Sequence, residues 1–385
     1  MVETFFWMAG FLICYSYLLY PILLKWLAKD IKSKNQLTTF EPWVSIIIPA
    51  HNEALLIEQK IKSICNGSYP LTKIEIIVYS DGSDDETDSI VNNLSVEFPF
   101  ISLLHNNRRR GKSFAINQLI SHAKFDIIIL TDANIIFDDD TIKNNVKNYQ
   151  LDNIGLVGSY VINPPKINNN HSNQEQKYVT WENETKYNEG LIWGCTIAPF
   201  GACFSFRKEL FNPIPKNFLV DDFFIAATVL QKKFNCILDK TSICFEELNG
   251  SLLAEMNRRK RISTGNFQNL GYFIDLFSNI AKPVGFCFWS HKGIRWFTPV
   301  LLFLLLISNI FLIDQSFFYK VTLILQVFFY CTPLTYQLSK SIKPLHKIIK
   351  FAHYFLMMNF SLLAGFYQYK KGVKVGYWDI TQRVK

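Results

Sequence analysis

The sequence predicts an α/β fold, a mostly parallel, doubly wound sheet flanked by transmembrane helices at the N- and C-terminal ends. Three observations lead there. Short apolar runs recur from residue 44 to about 240: Val44–Ile48, Ile74–Tyr79, Ile101–Leu104 and Ile127–Leu130. Helix-periodic segments separate them, and alternating strands and helices build parallel sheets. Uncharged stretches of membrane length lie on both sides of this region. Composition agrees: of 385 residues, 49% are hydrophobic, 15% aromatic and 19% charged. The mean hydropathy is +0.10. That is too apolar for an ordinary soluble protein and too charged for a wholly embedded one.

Phe5 to Leu24 carries no charge. At a rise of ~1.5 Å per residue it reaches ~30 Å, enough to cross a bilayer. No small-residue cleavage site follows, and Lys25, Lys29, Lys32 and Lys34 do. The pattern predicts a retained anchor with its C-terminal end in the cytoplasm.

After the first apolar run, Ile57, Ile61, Ile64 and Cys65 share one helical face. After the second, Ser83-Asp84-Asp85-Glu86 fits a capping box, with Ile90, Val91 and Leu94 as the apolar face. The stretch "DIIILTDANIIFDDD" (126–140) is a buried strand ending in Asp132 and Asn134. Asp138, Asp139 and Asp140 are placed to cap the next helix, whose N-terminal end favours acids.

From Trp296 the chain is again membrane-like. Trp296–Ile313 is uncharged, Phe317–Leu338 has only Lys320, and Phe351–Tyr369 contains His353, Asn359 and Gln368. Lysines and arginines flank the group. Two crossings keep the final basic cluster inside, so 351–369 is expected to be re-entrant or interfacial. A helical stripe of Leu270, Phe273, Ile274, Phe277 and Ile280 is expected to lie flat on the membrane.

Net charge is +8, but much of the basic excess flanks membrane segments, where topology explains it without nucleic acid. Eight scattered cysteines without a CxxC pair support neither a zinc site nor a disulfide framework. A dinucleotide oxidoreductase would want GxGxxG after the first strand, where Pro49-Ala50-His51-Asn52-Glu53 stands instead. The other rival is a catalytically inactive, membrane-anchored nucleotide- or lipid-binding protein.

All four apolar runs end in polar clusters: Pro49 to Glu53, Ser80 to Asp85, Arg108 to Lys112, and Asp132 to Asn134. In a parallel sheet these ends converge on one edge, where ligands bind. The chemistry suits a nucleoside diphosphate. Asp81 can accept a uracil N–H, and Arg110 and Lys112 can offset diphosphate charge. Asp132 and Asn134 offer hard oxygen donors to a divalent cation, with phosphates completing the shell.

"VSIIIPAHNE", "IIVYSDGSDDET", "RRRGKSFAIN" and "TDANIIF" resemble the successive signatures of family 2 glycosyltransferases, which have the GT-A fold. "VDDFFIAATVLQKKF" (220–234) is similar to the segment with the family's acidic pair, and "RRKRISTGNFQ" (258–268) to the arginine-rich acceptor-side motif. The resemblance implies Asp222 as catalytic base with Asp221 beside it. It implies donor nucleotide contacts at Pro49, Ala50, Asn52, Glu53, Asp81, Arg110, Lys112 and Asp132, and a Mg2+ or Mn2+ ion at Asp132 and Asn134. Arg261 matches the motif's arginine. Arg258 and Ile262 stand where polymerising members carry Gln and Trp, which argues against processive synthesis. Arg258 and Arg261 serve either the diphosphate or lipid headgroups. Gly201 either permits close approach of the acceptor or bends the backbone. Trp181, Trp193 and Phe200 either line an acceptor channel or pack the core.

The implied organisation is an anchor (1–35), a cytoplasmic catalytic domain (40–268), an interfacial segment (269–295), membrane or re-entrant helices (296–369) and a basic tail (370–385). The implied activity is inverting sugar transfer at the inner or plasma membrane, in cell-envelope polysaccharide or glycolipid synthesis. The implied partners are a nucleotide-sugar donor (with a lean to UDP), a lipid-linked or glycan acceptor, membrane lipid, and either further copies of the chain or pathway proteins.

Overall fold

The computed structural model describes residues 1–31, 40–163, 172–246, 252–336, 343–373 and 376. The closing "YWDITQR" and the basic residues Lys32, Lys34, Lys340 and Lys374 lie outside the described residues. Among the described residues, eight strands form one sheet in the order β3-β2-β1-β4-β7-β6-β8-β5. They are β1 (Val44–Ala50), β2 (Ile74–Asp81), β3 (Ile101–Asn106), β4 (Ile127–Thr131), β5 (Ile135–Phe137), β6 (Ile154–Ile162), β7 (Cys203–Arg207) and β8 (Asn235–Glu246). The four predicted runs are β1 to β4, all mutually parallel. The other half is mixed. β7 runs antiparallel to β4 and β6, and β5 antiparallel to β8, while β6 and β8 are parallel. Four of the seven pairings are thus parallel.

β1, β2 and β4 are buried along their whole length, which is why they read as continuous apolar runs. Alternate residues feed two cores. Ile47, Ile77, Ile128 and Leu130 face Ala115, Leu119 and Phe224 on one side. Ile46, Ile48, Ile76, Val78 and Ile129 face Ile57, Ile61, Val91 and Leu94 on the other. The helices Ile57–Cys65 and Thr87–Glu97 use the apolar faces expected of them.

The expected helix caps form differently. The helix Thr87–Glu97 has no side-chain cap bond at Glu86, so the Ser83 capping box is absent. Asp85 instead accepts from the Thr87 N–H at 3.0 Å, and Ser83 is held back in the turn by Ser80 at 2.9 Å. Asp140 precedes the helix Thr141–Val146 without a side-chain bond to it. Its carboxylate accepts from Ser68 Oγ at 2.5 Å.

Among the described residues, two helices are long and apolar enough to cross a membrane, Val2–Leu27 and His346–Lys371. A third candidate is the pair Pro283–Trp296 and Thr298–Leu312, bent by 62°. Phe317–Tyr330 is apolar but shorter, at 14 residues. The stretch 351–369 therefore lies in an unbroken helix, and the bend falls at 283–312. The flat membrane stripe does not form. Phe273 and Phe277 are buried, Phe273 on Phe224 and Phe277 stacked on Phe288 at 4.1 Å. Only Ile274 and Ile280 of that stripe stay largely exposed. Aromatic packing thus ties the segment to the helix Asp221–Gln231, which carries Phe223 and Phe224.

The N-terminal helix is docked by polar groups. A widened π-type turn, Tyr15–Leu19, precedes Pro21, which cannot donate to the helix ladder. A second widened turn, Phe288–Gly293, packs against it. Ser16 Oγ donates to the Ser290 carbonyl at 2.8 Å, and Arg295 donates to the Ser16 carbonyl at 3.0 Å.

Lys60, on the helix Ile57–Cys65, is wholly buried, and its Nζ has no hydrogen-bond partner. It lies 3.3 Å from the centre of the Phe137 ring. Burial pushes this ammonium down to about 7, with only partial compensation from Cys203, Cys244 and Asp132. The folded protein therefore binds fewer protons here than the unfolded chain between about 7 and the ordinary lysine value. Stability should rise with pH across that window and fall as pH drops through about 7. Lys60→Met should stabilise the fold at pH 7 by on the order of 1–3 kcal/mol, read as a higher thermal midpoint, and flatten that pH dependence. Thermal unfolding in detergent from pH 6 to 10 checks both.

Candidate active site

The parallel half of the sheet delivers its polar ends to one edge, and hydrogen bonds then tie them together. β1 runs into Asn52, which adopts a φ of 55°. Asn52 and Asp84 bond reciprocally: Asn52 Nδ2 donates to Asp84 Oδ1 at 2.5 Å, and the Asp84 N–H donates to Asn52 Oδ1 at 2.9 Å. The Glu53 N–H donates to Thr87 Oγ1 at 2.9 Å, and the Ala54 N–H to Asp85 Oδ2 at 3.0 Å. Pro49 and Ala50 are still inside β1, paired with Tyr79 and Ser80.

Asp81 closes the next connection. It is wholly buried, and its two oxygens accept from the Arg110 N–H at 2.7 Å and the Gly111 N–H at 2.8 Å. His51 Nδ1 bonds the Asp81 carbonyl at 2.9 Å. Sequence alone gave this carboxylate to a nucleobase; here it anchors the loop that presents Arg110 and Lys112. Gly82 makes the turn possible. Its φ is +67°, and a Cβ there would meet the Arg109 nitrogen at 2.9 Å. Arg110 itself is exposed and rests against Phe114.

Lys112 opens the helix Lys112–His122 and points into the centre of the cluster. Its Nζ lies 2.8 Å from Asp132 Oδ1 and 3.3 Å from Asp221 Oδ1. Burial alone would lower its pKa, but Asp132 and Asp221 outweigh that and hold the ammonium well above its ordinary value. Asp132 follows β4, and Asp221 and Asp222 begin the helix Asp221–Gln231. One lysine thus joins the parallel half of the sheet to the acidic pair. Asp221 Oδ2 is buried without a hydrogen-bond partner.

Asp222 forms no ion pair among the described residues; its Oδ1 accepts from the Phe223 N–H at 2.7 Å. Burial, then the neighbouring Asp221 charge, pushes its carboxyl up to about 6, against the pull of Lys112 and Lys186. A Cβ at Gly201 would stand 3.3 Å from Asp222 Oδ2. The missing side chain therefore leaves access to this carboxylate.

Arg258 and Arg261 share the helix Leu252–Tyr272 but face different partners. Arg258 lies 3.7 Å from Glu246 and 3.6 Å from Glu255. Arg261 lies in the field of Asp132, Asp221 and Asp222; burial and then Arg258 hold its pKa below the ordinary arginine value.

Sequence reasoning missed the second tier of the site. Glu182 and Glu189, on the helix Ser172–Trp193, are buried against the bent membrane segment. His291 lies between them, one ring nitrogen 3.1 Å from Glu182 and the other 3.0 Å from Glu189. Lys292 and Arg295 also pair with Glu182. Burial would raise the Glu182 pKa, but Lys292, His291 and Arg295 hold it well below the usual carboxylate range. Trp181 lies under the Arg295 guanidinium, Trp193 packs edge-on to Phe286, and Phe200 carries the Lys186 ammonium on its face. The helical spacing 182, 186, 189 was readable, but partners about a hundred residues away were not.

For a divalent cation, Asp132 retains a second carboxylate oxygen and is about a third exposed, and Asn134 is half-buried on the same turn. No group of three or more His, Cys, Asp or Glu side chains among the described residues could hold an ion unaided. Two hard-oxygen side chains fit an ion that takes its remaining ligands from phosphates and water.

Comparison with known proteins agrees with this geometry. Residues 45–214 match the model of the family described as Glycosyl transferase family 2. A probable glycosyltransferase, YdaM, of Bacillus subtilis (strain 168) is 41% identical over 96 residues, 24% of this chain and 23% of its own length. A beta-monoglucosyldiacylglycerol synthase of Nostoc sp. is 31% identical over 118 residues, 30% of this chain and 25% of its own length. The matched stretch thus spans about a quarter of either curated relative. The structure of a mannosyltransferase from Pyrobaculum calidifontis, PcManGT, in complex with GDP-Man and Mn2+, superposes with a TM-score of 0.68 at 22% identity. It covers 94% of this chain and 99% of that one, and it establishes the fold. Residues 45–214 are therefore similar to the family 2 glycosyltransferases, and the chain has the GT-A arrangement. The family match ends before Asp221, so what is said of the acidic pair and the arginines rests on geometry and motif likeness.

Asp81→Asn would present an NH2 group to one of the two backbone donors. The expected cost is about 1–3 kcal/mol, read as a lower thermal midpoint, because a buried N–H loses its acceptor.

Proposed function

We propose that this protein is a membrane-bound, inverting glycosyltransferase. It moves a sugar from a nucleoside-diphosphate sugar to the hydroxyl of a lipid-linked or glycan acceptor. The observation that carries the proposal is the convergence of Asp132, Lys112, Asp221, Asp222 and Arg261 from four separate segments on one sheet edge.

The donor's diphosphate lies against Lys112 and Arg261, whose charges offset its own. A divalent cation held by Asp132 and Asn134 would add positive charge to the leaving diphosphate when bound. Asp222 accepts the proton of the acceptor hydroxyl while its oxygen attacks the anomeric carbon and the bond to the diphosphate breaks. Asp221 fixes Lys112 and raises the basicity of Asp222. Attack on the face opposite the leaving group inverts the anomeric centre. Gly201 leaves the acceptor room beside the base.

Single addition is the better supported mode. Arg258 is engaged with Glu246 and Glu255, and the polymerase motif's aromatic is Ile262 here. The N-terminal helix, long and apolar enough to cross a membrane, docks through Tyr20 on Glu189 of the helix Ser172–Trp193, which supports a lipid-linked acceptor. The sheet domain then lies on the cytoplasmic side.

Purified, detergent-solubilised protein with Mg2+ or Mn2+ and a panel of nucleotide sugars tests the proposal. One donor should release its nucleotide. Asp222→Asn should lower turnover by roughly 10²–10⁴-fold while donor binding persists. Wild-type kcat/KM should fall as pH drops through about 6, where Asp222 becomes protonated. Asp132→Ala should abolish the effect of the cation on donor affinity; unchanged cation-dependent binding would place the ion elsewhere.

A further inference from the structure

The helix Ser172–Trp193 carries Glu182, Lys186 and Glu189 at helical spacing, on one face. The two glutamates are committed. Glu182 is paired with His291, Lys292 and Arg295, and Glu189 bonds His291 and the Tyr20 hydroxyl. Lys186 is not. It is 3% exposed, and among the described residues its ammonium makes no ion pair. Its Nζ lies instead 3.4 Å from the centre of the Phe200 ring. The next residue, Gly201, lies against Asp222, with only 3.3 Å between a built Cβ and Oδ2.

The charges around the pair can be counted off. Facing Lys186 are Lys292, Glu182, Glu189 and Asp222. Facing Asp222 are Asp221, Lys112, Lys186 and Arg261. Asp221 is bound to Lys112. Glu182 already faces three cations. Among the described residues, the carboxylate of this group left with no ion-pair partner is Asp222, and the ammonium left with none is Lys186.

Resting on the reading of Asp222 as base, we propose that Lys186 is a positioning residue for it. The ammonium, fixed over Phe200, keeps the Asp222 carboxylate ionised beside Asp221 and so ready to take the acceptor's proton. Lys186 touches neither donor nor acceptor in this role. Burial, with Lys292, lowers the lysine's own pKa to about 7, so its charge is present over the range in which Asp222 ionises.

The test compares wild type with Lys186→Met, Lys186→Gln and Lys186→Arg in the full-length protein. The Asp222 carboxyl is titrated by pH-difference infrared spectroscopy, its band isolated by subtracting Asp222→Asn; this needs no turnover. Its midpoint should move up by roughly one pH unit in the Met and Gln variants and return in Arg. The acid limb of kcat/KM should move with it, while KM for the donor holds. An unmoved midpoint overturns the proposal, even if activity falls. So does loss of fold in both Met and Gln with normal folding in Arg, which would assign the charge to stability. A moved midpoint in a protein that turns over no donor would uphold the Lys186–Asp222 pair and overturn the base reading instead.

Discussion

The contact on which the site depends is the Lys112 ammonium shared by Asp132 and Asp221. Asp132 ends a strand of the parallel half, Lys112 starts the helix after β3, and Asp221 starts a helix that the chain reaches after β7. Without the cation between them, two carboxylates in a desolvated edge would repel strongly. With it, the distances among three segments are set by one side chain. Asp222 stands outside this ion pair. Burial and the neighbouring Asp221 charge raise its carboxyl to about 6, against the pull of Lys112 and Lys186.

A second buried cluster does for the membrane side what Lys112 does for the sheet. Glu182 collects three cations from the bent segment, and Arg295 passes on to the carbonyl freed in the N-terminal helix. Buried ion networks of this kind stabilise little in net terms, because desolvation offsets the attraction. What they impose is geometry, since any other docking would strand charges in an apolar interior. The N-terminal helix is accordingly fixed to the helix Ser172–Trp193 and to the bent segment by polar contacts.

The parallel half was legible because its physics is local. Strands buried on both faces must be continuous apolar runs, and helices between them must show a periodic face. The convergence of their polar ends follows from topology alone. The mixed half was not legible. β7 reads "CFSFR", a pattern that fits any half-buried strand, and its antiparallel place between β4 and β6 depends on long-range pairing. The stripe at 270–280 failed for a related reason. Periodicity finds an apolar face but cannot say whether lipid or the Phe223–Phe224 pair covers it. Asp81 stands at a strand end, where the sequence places it. Its bonds to two backbone amides contributed by a loop beyond β3 could not be read from any spacing.

The surroundings of Asp222 differ on its two sides. On one side stand the charged groups Asp221, Lys112 and Arg261. The opposite side is bounded by Gly201, Phe200 and the helix that carries Lys186. Only there does the chain remove a side chain next to the carboxylate. That helix is also the one whose glutamates grip the bent segment 283–312, so the open side of Asp222 and the buried ion cluster lie along one element.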